Sequence, residues 1–453
     1  MNIPGMQTPP KWQSFLEFEE RNKLFLLKNE QHIFIWDILR FHAYLAYLWP
    51  GTAGIPASES RGKKIRRYLI TARSLIKFLF TLYRKKKFLF FLCSRDRLPD
   101  GKFYDKNARD VLTSVSERDV FILETIYNDK GKYNNRSWVL NPNYIFIDIY
   151  SWFNKKQDDY ETLATLLNRE LGLNWNNKLI NTYLNNFRAE YKFYSFLLRI
   201  KSIKQIFITQ NGIQKALLAA ARDLHIPLTE FQHGIIDPGH LAYNYPLSVG
   251  VEGNIYLPDT FLSFGSFWVR DVHLPIKKVI PIGNTAYFNG ALSTEQPINC
   301  NVLTVAASDI FGKRLAELTK EFSAINKNVK IYFKLHPNQF KEKDWYKSTF
   351  SDFEQVKVIS NEFSIPELIV KSKGVLAIQS TAVYEALQAR RQVYILQENS
   401  YYRHAHVFDL HNVYLINNAV ELTTALRQDI VREDVTFFDD FTPSKLKDVL
   451  LDN

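Results

Sequence analysis

Three short segments hold residue types that handle anions and protons. The first is Phe231-Gln232-His233-Gly234, which ends the apolar run Leu228–Gln232 and leads into a turn-rich stretch with Asp237, Pro238, Gly239 and His240. An imidazole titrates near neutrality, so His233 can donate to a phosphate oxygen or take a proton from an attacking hydroxyl. Gly234 beside it permits a sharp turn and a close ligand approach. The second is Lys334-Leu335-His336-Pro337. Strand alternation puts Lys334 and His336 on one side, about 7 Å apart, and Pro337 stops the strand while holding His336 extended. Two such donors suit a phosphate leaving group, where charge develops in the transition state. The third is Gln379-Ser380-Thr381, followed by Glu385. Ser380 or Thr381 is the expected N-cap of a helix whose free N–H groups attract anions, with Glu385 one turn on as an acceptor for ribose hydroxyls. Each segment alone has an ordinary structural explanation, such as a capping histidine or a hydroxyl N-cap. Their succession at three strand ends is what points to chemistry.

The elements that must position them alternate. Strands are expected at Phe88–Ser94, Asp119–Glu124, Tyr144–Tyr150, Gln205–Thr209 and Leu228–Gln232, with helices at Asp158–Leu171, Leu179–Ile200 and Ile213–Leu224. A Gly-, Pro- and aromatic-rich connection, Asp237–Phe288, precedes a second series. Its strands are Val302–Ala307, Val329–Lys334, Gln355–Ile359, Gly374–Ile378, Gln392–Leu396 and Val413–Ile416. Its helices are Lys313–Ile325, Ile365–Lys371, Ala382–Ala389 and Ala419–Arg427. Such alternation predicts α/β architecture with two facing Rossmann-type domains and ligands at the carboxyl ends of the strands. The expected division is a helical, basic region 1–87, a first domain 88–260 and a second domain 261–453, with a final short helix near Pro443–Leu451 crossing back to the first.

At 453 residues, with 46 % hydrophobic and 23 % charged residues, the chain has the composition of a folded protein of more than one domain. Cys93 and Cys300 are its two cysteines. They exclude a disulfide scaffold and read as buried free thiols in a reducing compartment. Met1–Trp12 has neither the basic nor the apolar region of a secretory signal, and no run approaches the about 18 apolar residues of a membrane span. The expected location is cytoplasmic. The net charge of +11 is concentrated: Arg61–Lys87 holds eleven Lys and Arg and no Asp or Glu. On a helix, Arg66, Arg73, Lys77 and Arg84 form one stripe and Ile65, Leu69, Ala72, Ile76, Leu79 and Tyr83 another. That pattern fits peripheral contact with an anionic membrane at its inner face, or a packed helix with a solvated charged side. No zinc finger, stacking module or RNA-binding signature accompanies it, so nucleic acid is not an expected partner.

The order Gln232-His233-Gly234, Lys334-Leu335-His336-Pro337 and Ser380-Thr381 with Glu385 resembles bacterial GT-B glycosyltransferases of capsule and lipopolysaccharide synthesis, nearest those that use CMP-activated ulosonic acids (Kdo or sialic acid). The likeness covers about residues 200–400. It implies a GT-B-like fold, a nucleotide-sugar donor (CMP-Kdo or CMP-sialic acid) held by Lys334, His336, Pro337, Ser380, Thr381 and Glu385, and a glycan or lipid-linked glycan acceptor. His233 or Asp237 would take the acceptor's proton. The paired-acid-Gly element that usually carries the base in sialyltransferases is missing; Asp237 is the first choice to substitute, with Glu230, Asp96 and Asp105 also available. CDP-glycerol polymerases share the His-Gly and His-Pro motifs but carry Asp-Tyr-Ser-Ser where this chain has Ile378-Gln379-Ser380-Thr381, which favours sugar over polyol-phosphate transfer. No Asp-x-Asp element stands in a metal-binding context, so neither metal nor cofactor is expected, the nucleotide-sugar being a substrate. The rival readings are polyol-phosphate transfer, a non-catalytic nucleotide- or glycan-binding partner, and a nucleotide-sugar epimerase.

Overall fold

The computed structural model describes residues 10–29, 32–49, 75–97, 100–125, 138–153, 156–287, 300–308, 310–398 and 400–450. They form two α/β units. The N-terminal unit runs to Ser263 and adds Asp271–Ile282 and the chain from Thr442; the C-terminal unit takes Phe264–Arg270 and Gly283–Phe441.

In the N-terminal unit, helices α1 (Lys11–Arg21), α2 (Ile35–Leu48) and α3 (residues 75–81) precede the sheet. Then follow β1 (Phe88–Leu92), the small hairpin β2 (Asp96–Arg97) and β3 (Phe103–Tyr104), α4 (Arg109–Thr113), β4 (Val120–Glu124), β5 (Trp138–Leu140), α5 (Asn143–Phe153), α6 (Glu161–Leu171) and α7 (Asn177–Lys201). The unit is completed by β6 (Gln205–Ile208), α8 (Lys215–Asp223), β7 (Leu228–Phe231), β8 (Thr260–Ser263) and β9 (Lys278–Pro281). The seven-stranded sheet has the order β5-β4-β1-β6-β7-β8-β9, every pair parallel. Runs such as Phe-Leu-Phe-Phe-Leu in β1 are buried at every position, as a sheet covered on both faces requires.

Two expectations are corrected here. Tyr144–Tyr150 lies in helix α5, not a strand. Its β-branched and aromatic residues read as an alternating strand, but Phe146 packs on Phe193 of α7 with ring centroids 4.6 Å apart, and Asn143 Nδ2 donates to Glu190 at 2.6 Å. Tertiary packing overrides β-propensity. The expected connection contains β8 and β9, so the 260/261 boundary falls within β8. Each is four residues long, and β9 ends on Pro281 at the sheet edge, where a missing N–H is tolerated.

Of the expected basic helix, residues 61–74 lie outside the described residues, and 75–81 are helical. The described part of region 1–87 belongs to the N-terminal unit and clamps it. Arg40 of α2 pairs with buried Glu19 of α1 at 2.6 Å, stacks on Tyr245 with its guanidinium 4.1 Å from the ring centroid, and donates to the carbonyls of Leu241 and Asn244. Asp37 pairs with Lys215 of α8 at 3.0 Å and accepts the Tyr256 N–H at 2.7 Å. The C-terminal stretch returns to this unit, where Gln205 Nε2 donates to Val449 O at 2.6 Å.

The C-terminal unit holds β10 (Val302–Ala306), α9 (Gly312–Ile325), β11 (Lys330–Lys334), α10 (Lys343–Thr349), β12 (Val356–Ile359), α11 (Ile365–Lys371) and β13 (Gly374–Ala377). After these come α12 (Ala382–Gln388), β14 (Gln392–Leu396), β15 (Val413–Ile416) and α13 (Ala419–Arg427). Its sheet order is β12-β11-β10-β13-β14-β15, again parallel throughout. Among the described residues no helix is long and apolar enough to cross a membrane. Cys93 is partly buried and Cys300 is exposed, which corrects the expectation of two buried thiols.

Candidate functional site

In a parallel sheet all carboxyl ends share one edge, and the point where strand order reverses opens a crevice for ligands. In the N-terminal unit that point lies between β1 and β6. Asp105 bridges it, accepting the Cys93 N–H at 3.1 Å and the Thr209 hydroxyl at 2.7 Å. Beside it Glu124, at the end of β4, accepts from the Ser94 N–H at 2.9 Å and hydroxyl at 2.6 Å. Burial pushes the Glu124 carboxyl up to about 8 and also raises Asp105, against the hydrogen bonds both accept.

The third carboxyl of this edge reaches the histidine singled out by sequence. Glu230, inside β7, accepts from the Asn211 N–H at 3.0 Å, from Asn211 Nδ2 at 2.7 Å and from the Tyr243 hydroxyl at 2.7 Å. The same Tyr243 oxygen lies 3.0 Å from His233 Nδ1. A phenol has one proton; with that proton on Glu230, its oxygen accepts from His233 Nδ1–H, which leaves Nε2 with the lone pair. Burial moves Glu230 up to about 7. Burial, then the nearby Arg95 cation, hold His233 down at about 4. The carboxylate tied to His233 is therefore Glu230, ranked behind Asp237 by sequence. Asp237 is 2 % exposed and its Oδ1 accepts the Gly239 N–H at 2.8 Å, shaping the turn after His233. A Cβ on Gly239 would meet that Oδ1 at 2.9 Å and Trp12 at 3.2 Å, so the turn accepts only glycine without a shift. Tyr44 of α2 donates to Gly239 O at 2.8 Å, so the N-terminal helices hold this loop in register. A Cβ at Gly234 would meet nothing within 4 Å, leaving open space beside His233.

In the C-terminal unit the reversal lies between β10 and β13, and Ser380 and Thr381 follow β13 directly. The expected hydroxyl cap is realised differently. Thr381 occupies the N-cap position without a side-chain bond, while the Ser380 hydroxyl accepts the Ala382 N–H at 3.2 Å. The Ser380 N–H is directed to His404 Nε2 at 3.5 Å. Glu385 is 4 % exposed. Lys334, at the end of β11, donates to the carbonyl of Ser360, and burial brings its ammonium down to about 8, so it stays charged at neutral pH. His336 caps the turn that begins at Pro337: Nδ1 accepts the Asn338 N–H at 3.2 Å, which puts the proton of a neutral ring on Nε2. Its own N–H donates to Gln339 Oε1 at 3.3 Å, and Gln339 is held by Tyr346 at 2.7 Å.

Sequence reasoning passed over a second cluster here. Tyr384 of α12 has its hydroxyl 2.7 Å from His406 Nε2 and 3.2 Å from His404 Nδ1, and its ring packs 4.7 Å from Trp268. His404 is fully buried, which holds it well below the usual imidazole range. The available signal was the His404-Ala405-His406 spacing in a chain with ten histidines. For Tyr243, no local pattern marked one tyrosine among 24.

Residues 309–409 match the family model described as "Capsule polysaccharide biosynthesis protein", a stretch that contains Lys334, His336, Ser380, Thr381, Glu385, His404 and His406. No curated protein matches the chain. Among solved structures, it is similar to UDP-GlcNAc 2-epimerase from Methanocaldococcus jannaschii in complex with UDP-GlcNAc and UDP, at 13 % identity, over 80 % of this chain and 99 % of that one, TM-score 0.46. It is also similar to UDP-GlcNAc 2-epimerase from Neisseria meningitidis bound to UDP-GlcNAc, at 13 % identity, over 76 % and 90 %, TM-score 0.43. A third likeness is to Acinetobacter baumannii MurG, at 10 % identity, over 76 % and 91 %, TM-score 0.40.

Proposed function

We propose that the protein is a glycosyltransferase that moves a sugar from a nucleotide donor to a capsule or lipopolysaccharide glycan, the C-terminal unit holding the donor and the N-terminal unit activating the acceptor hydroxyl. The observation that carries this reading is the Glu230–Tyr243–His233 chain. As the acceptor oxygen attacks the anomeric carbon, its proton passes to His233 Nε2. The Nδ1 proton moves to Tyr243, and the phenol proton to Glu230. The imidazole ends as its other neutral tautomer and no buried imidazolium forms. That fits a ring held at about 4 beside a carboxyl raised to about 7.

The C–O bond to the nucleotide phosphate breaks in the same step, and its electron pair stays on phosphate. Lys334, charged at neutral pH, and His336, presenting Nε2–H, are the donors that would meet that charge, and the partly exposed Ser380 and Thr381 are assigned to the same donor. The match of residues 309–409 to a capsule biosynthesis family supports this assignment of the C-terminal unit. The resemblance in the three motifs carries the finer choice of a CMP-Kdo or CMP-sialic acid donor, and no metal or cofactor is assigned a step.

A donor screen with CMP-Kdo, CMP-sialic acid, UDP-sugars, GDP-sugars and CDP-glycerol, with and without a glycan acceptor, tests the reading. Acceptor-dependent sugar transfer from a CMP donor is the expected result. Polymer from CDP-glycerol, conversion of a UDP-sugar without acceptor, or binding with no turnover of any donor would each overturn it.

A further inference from the structure

We propose that the outer face of residues 75–87 docks the protein onto an anionic lipid bilayer. The helix α3 is seated through one side only. Phe78 is 1 % exposed, packed 6.0 Å from Phe193 of α7, and Leu82 is buried beside it. Lys201 donates to the carbonyl of Thr81 at 2.6 Å and accepts the Lys86 N–H at its own carbonyl at 2.9 Å, pinning the segment's end. The opposite side carries Ile76, Leu79, Phe80 and Tyr83, which are 56, 54, 82 and 78 % exposed. An ordinary packed helix with this sequence would turn Ile76, Leu79 and Tyr83 inward and leave only charge in water. Here Phe78 and Leu82 turn inward instead, and the apolar and basic side chains are exposed together.

Charge selects the partner. Residues 75–87 carry Lys77, Arg84, Lys85, Lys86 and Lys87 and no carboxylate. The lysine ammonium of Lys85 reaches Ile200 O at 3.2 Å, and there the surface continues onto α7, where Phe196, 49 % exposed, lines a cavity of about 480 Å³ with Lys192 and Arg199. Large apolar side chains ringed by cations fit the acyl–headgroup boundary of an acidic leaflet, with the rings and Leu79 in the apolar layer and the cations among phosphates. A protein partner would have to supply a matching acidic apolar surface. The face adjoins the amino end of β1, and the candidate base lies at the carboxyl edge of the same sheet. Five strand residues, about 17 Å at ~3.3 Å each, keep the chemistry clear of the bilayer.

Co-sedimentation of the full chain with vesicles of phosphatidylcholine alone, and of equal parts phosphatidylcholine and phosphatidylglycerol, tests this. The expected result is binding to the acidic vesicles that weakens with added salt. Phe80→Ser combined with Leu79→Ser lowers that binding about tenfold or more, and Arg84→Glu alone lowers it several-fold on acidic vesicles only. All three positions are exposed, and thermal melting followed by circular dichroism confirms that each variant is folded. Equal binding to both vesicle types, undiminished binding of the folded Phe80→Ser/Leu79→Ser variant, or a salt-insensitive dimer that ignores vesicles overturns the proposal.

Discussion

Both units place a tyrosine hydroxyl between two titratable groups at a strand-end region, and the partners differ. Tyr243 joins a carboxylate, Glu230, to an imidazole, His233. Tyr384 joins two imidazoles, His404 and His406. The first arrangement has somewhere to send a proton, because a buried carboxyl at about 7 is a ready acceptor near neutral pH. The second joins imidazole to imidazole, and it sits beside the loop of Ser380, whose N–H is directed to His404. We propose that the phenol relays a proton where it joins a carboxylate to an imidazole and positions a loop where it joins two imidazoles.

The largest way to break this comparison is to remove the proton's destination. Glu230→Gln or His233→Ala lowers kcat/KM about 10²–10⁴-fold, on the scale of general-base catalysis. In the wild type, kcat/KM falls as pH drops below about 7, because Glu230 is then already protonated and accepts nothing; Glu230→Gln loses that limb. A pH–rate profile in which the limb persists in Glu230→Gln assigns the base elsewhere. The clamp comes next. Arg40→Ala leaves buried Glu19 with the Trp36 N–H but no cation and frees the carbonyls of Leu241 and Asn244, so unfolding in denaturant shows a loss of about 3–5 kcal/mol.

In the other unit, His336→Ala costs at least ~10²-fold in turnover while the melting temperature holds, the cost of losing one preorganised donor to developing charge. Unchanged turnover there removes the phosphate role. Tyr384→Phe raises KM for the donor about tenfold with little change in kcat, whereas Tyr243→Phe lowers kcat; steady-state kinetics that show the same pattern for both would erase the distinction. The smallest effect is expected at Gly312, whose added Cβ would collide with Gln339 and the Tyr346 hydroxyl behind the His336 cap. Gly312→Ala costs a few-fold in donor affinity, on the scale of about 1 kcal/mol, measured by titration calorimetry.

Much of the α/β framework was legible along the chain. Val302–Ala306, Gly374–Ala377 and Gln392–Leu396 are apolar runs bounded by turn residues, and Ile365–Lys371 begins with the Ser364/Glu367 capping box. These signals are local, since burial on both faces of a sheet and helix capping are satisfied within a few residues. The positions of His233, His336 and Ser380 after strands were legible for the same reason. Other features were not, because they depend on partners distant in sequence. Residues 143–153 are helical through their packing on α7, and the short β8 and β9 acquire strand character from the sheet edge they extend. Glu230 meets Tyr243 across 13 positions and Tyr384 meets His404 across 20, distances that no helix or strand period bridges. The amphipathic pattern of residues 76–83 was plain in the sequence. Which of its sides faces water was not, because Phe78 and Leu82 compete with Ile76, Leu79 and Phe80 for the one core available, and only the fit against α7 settles that competition.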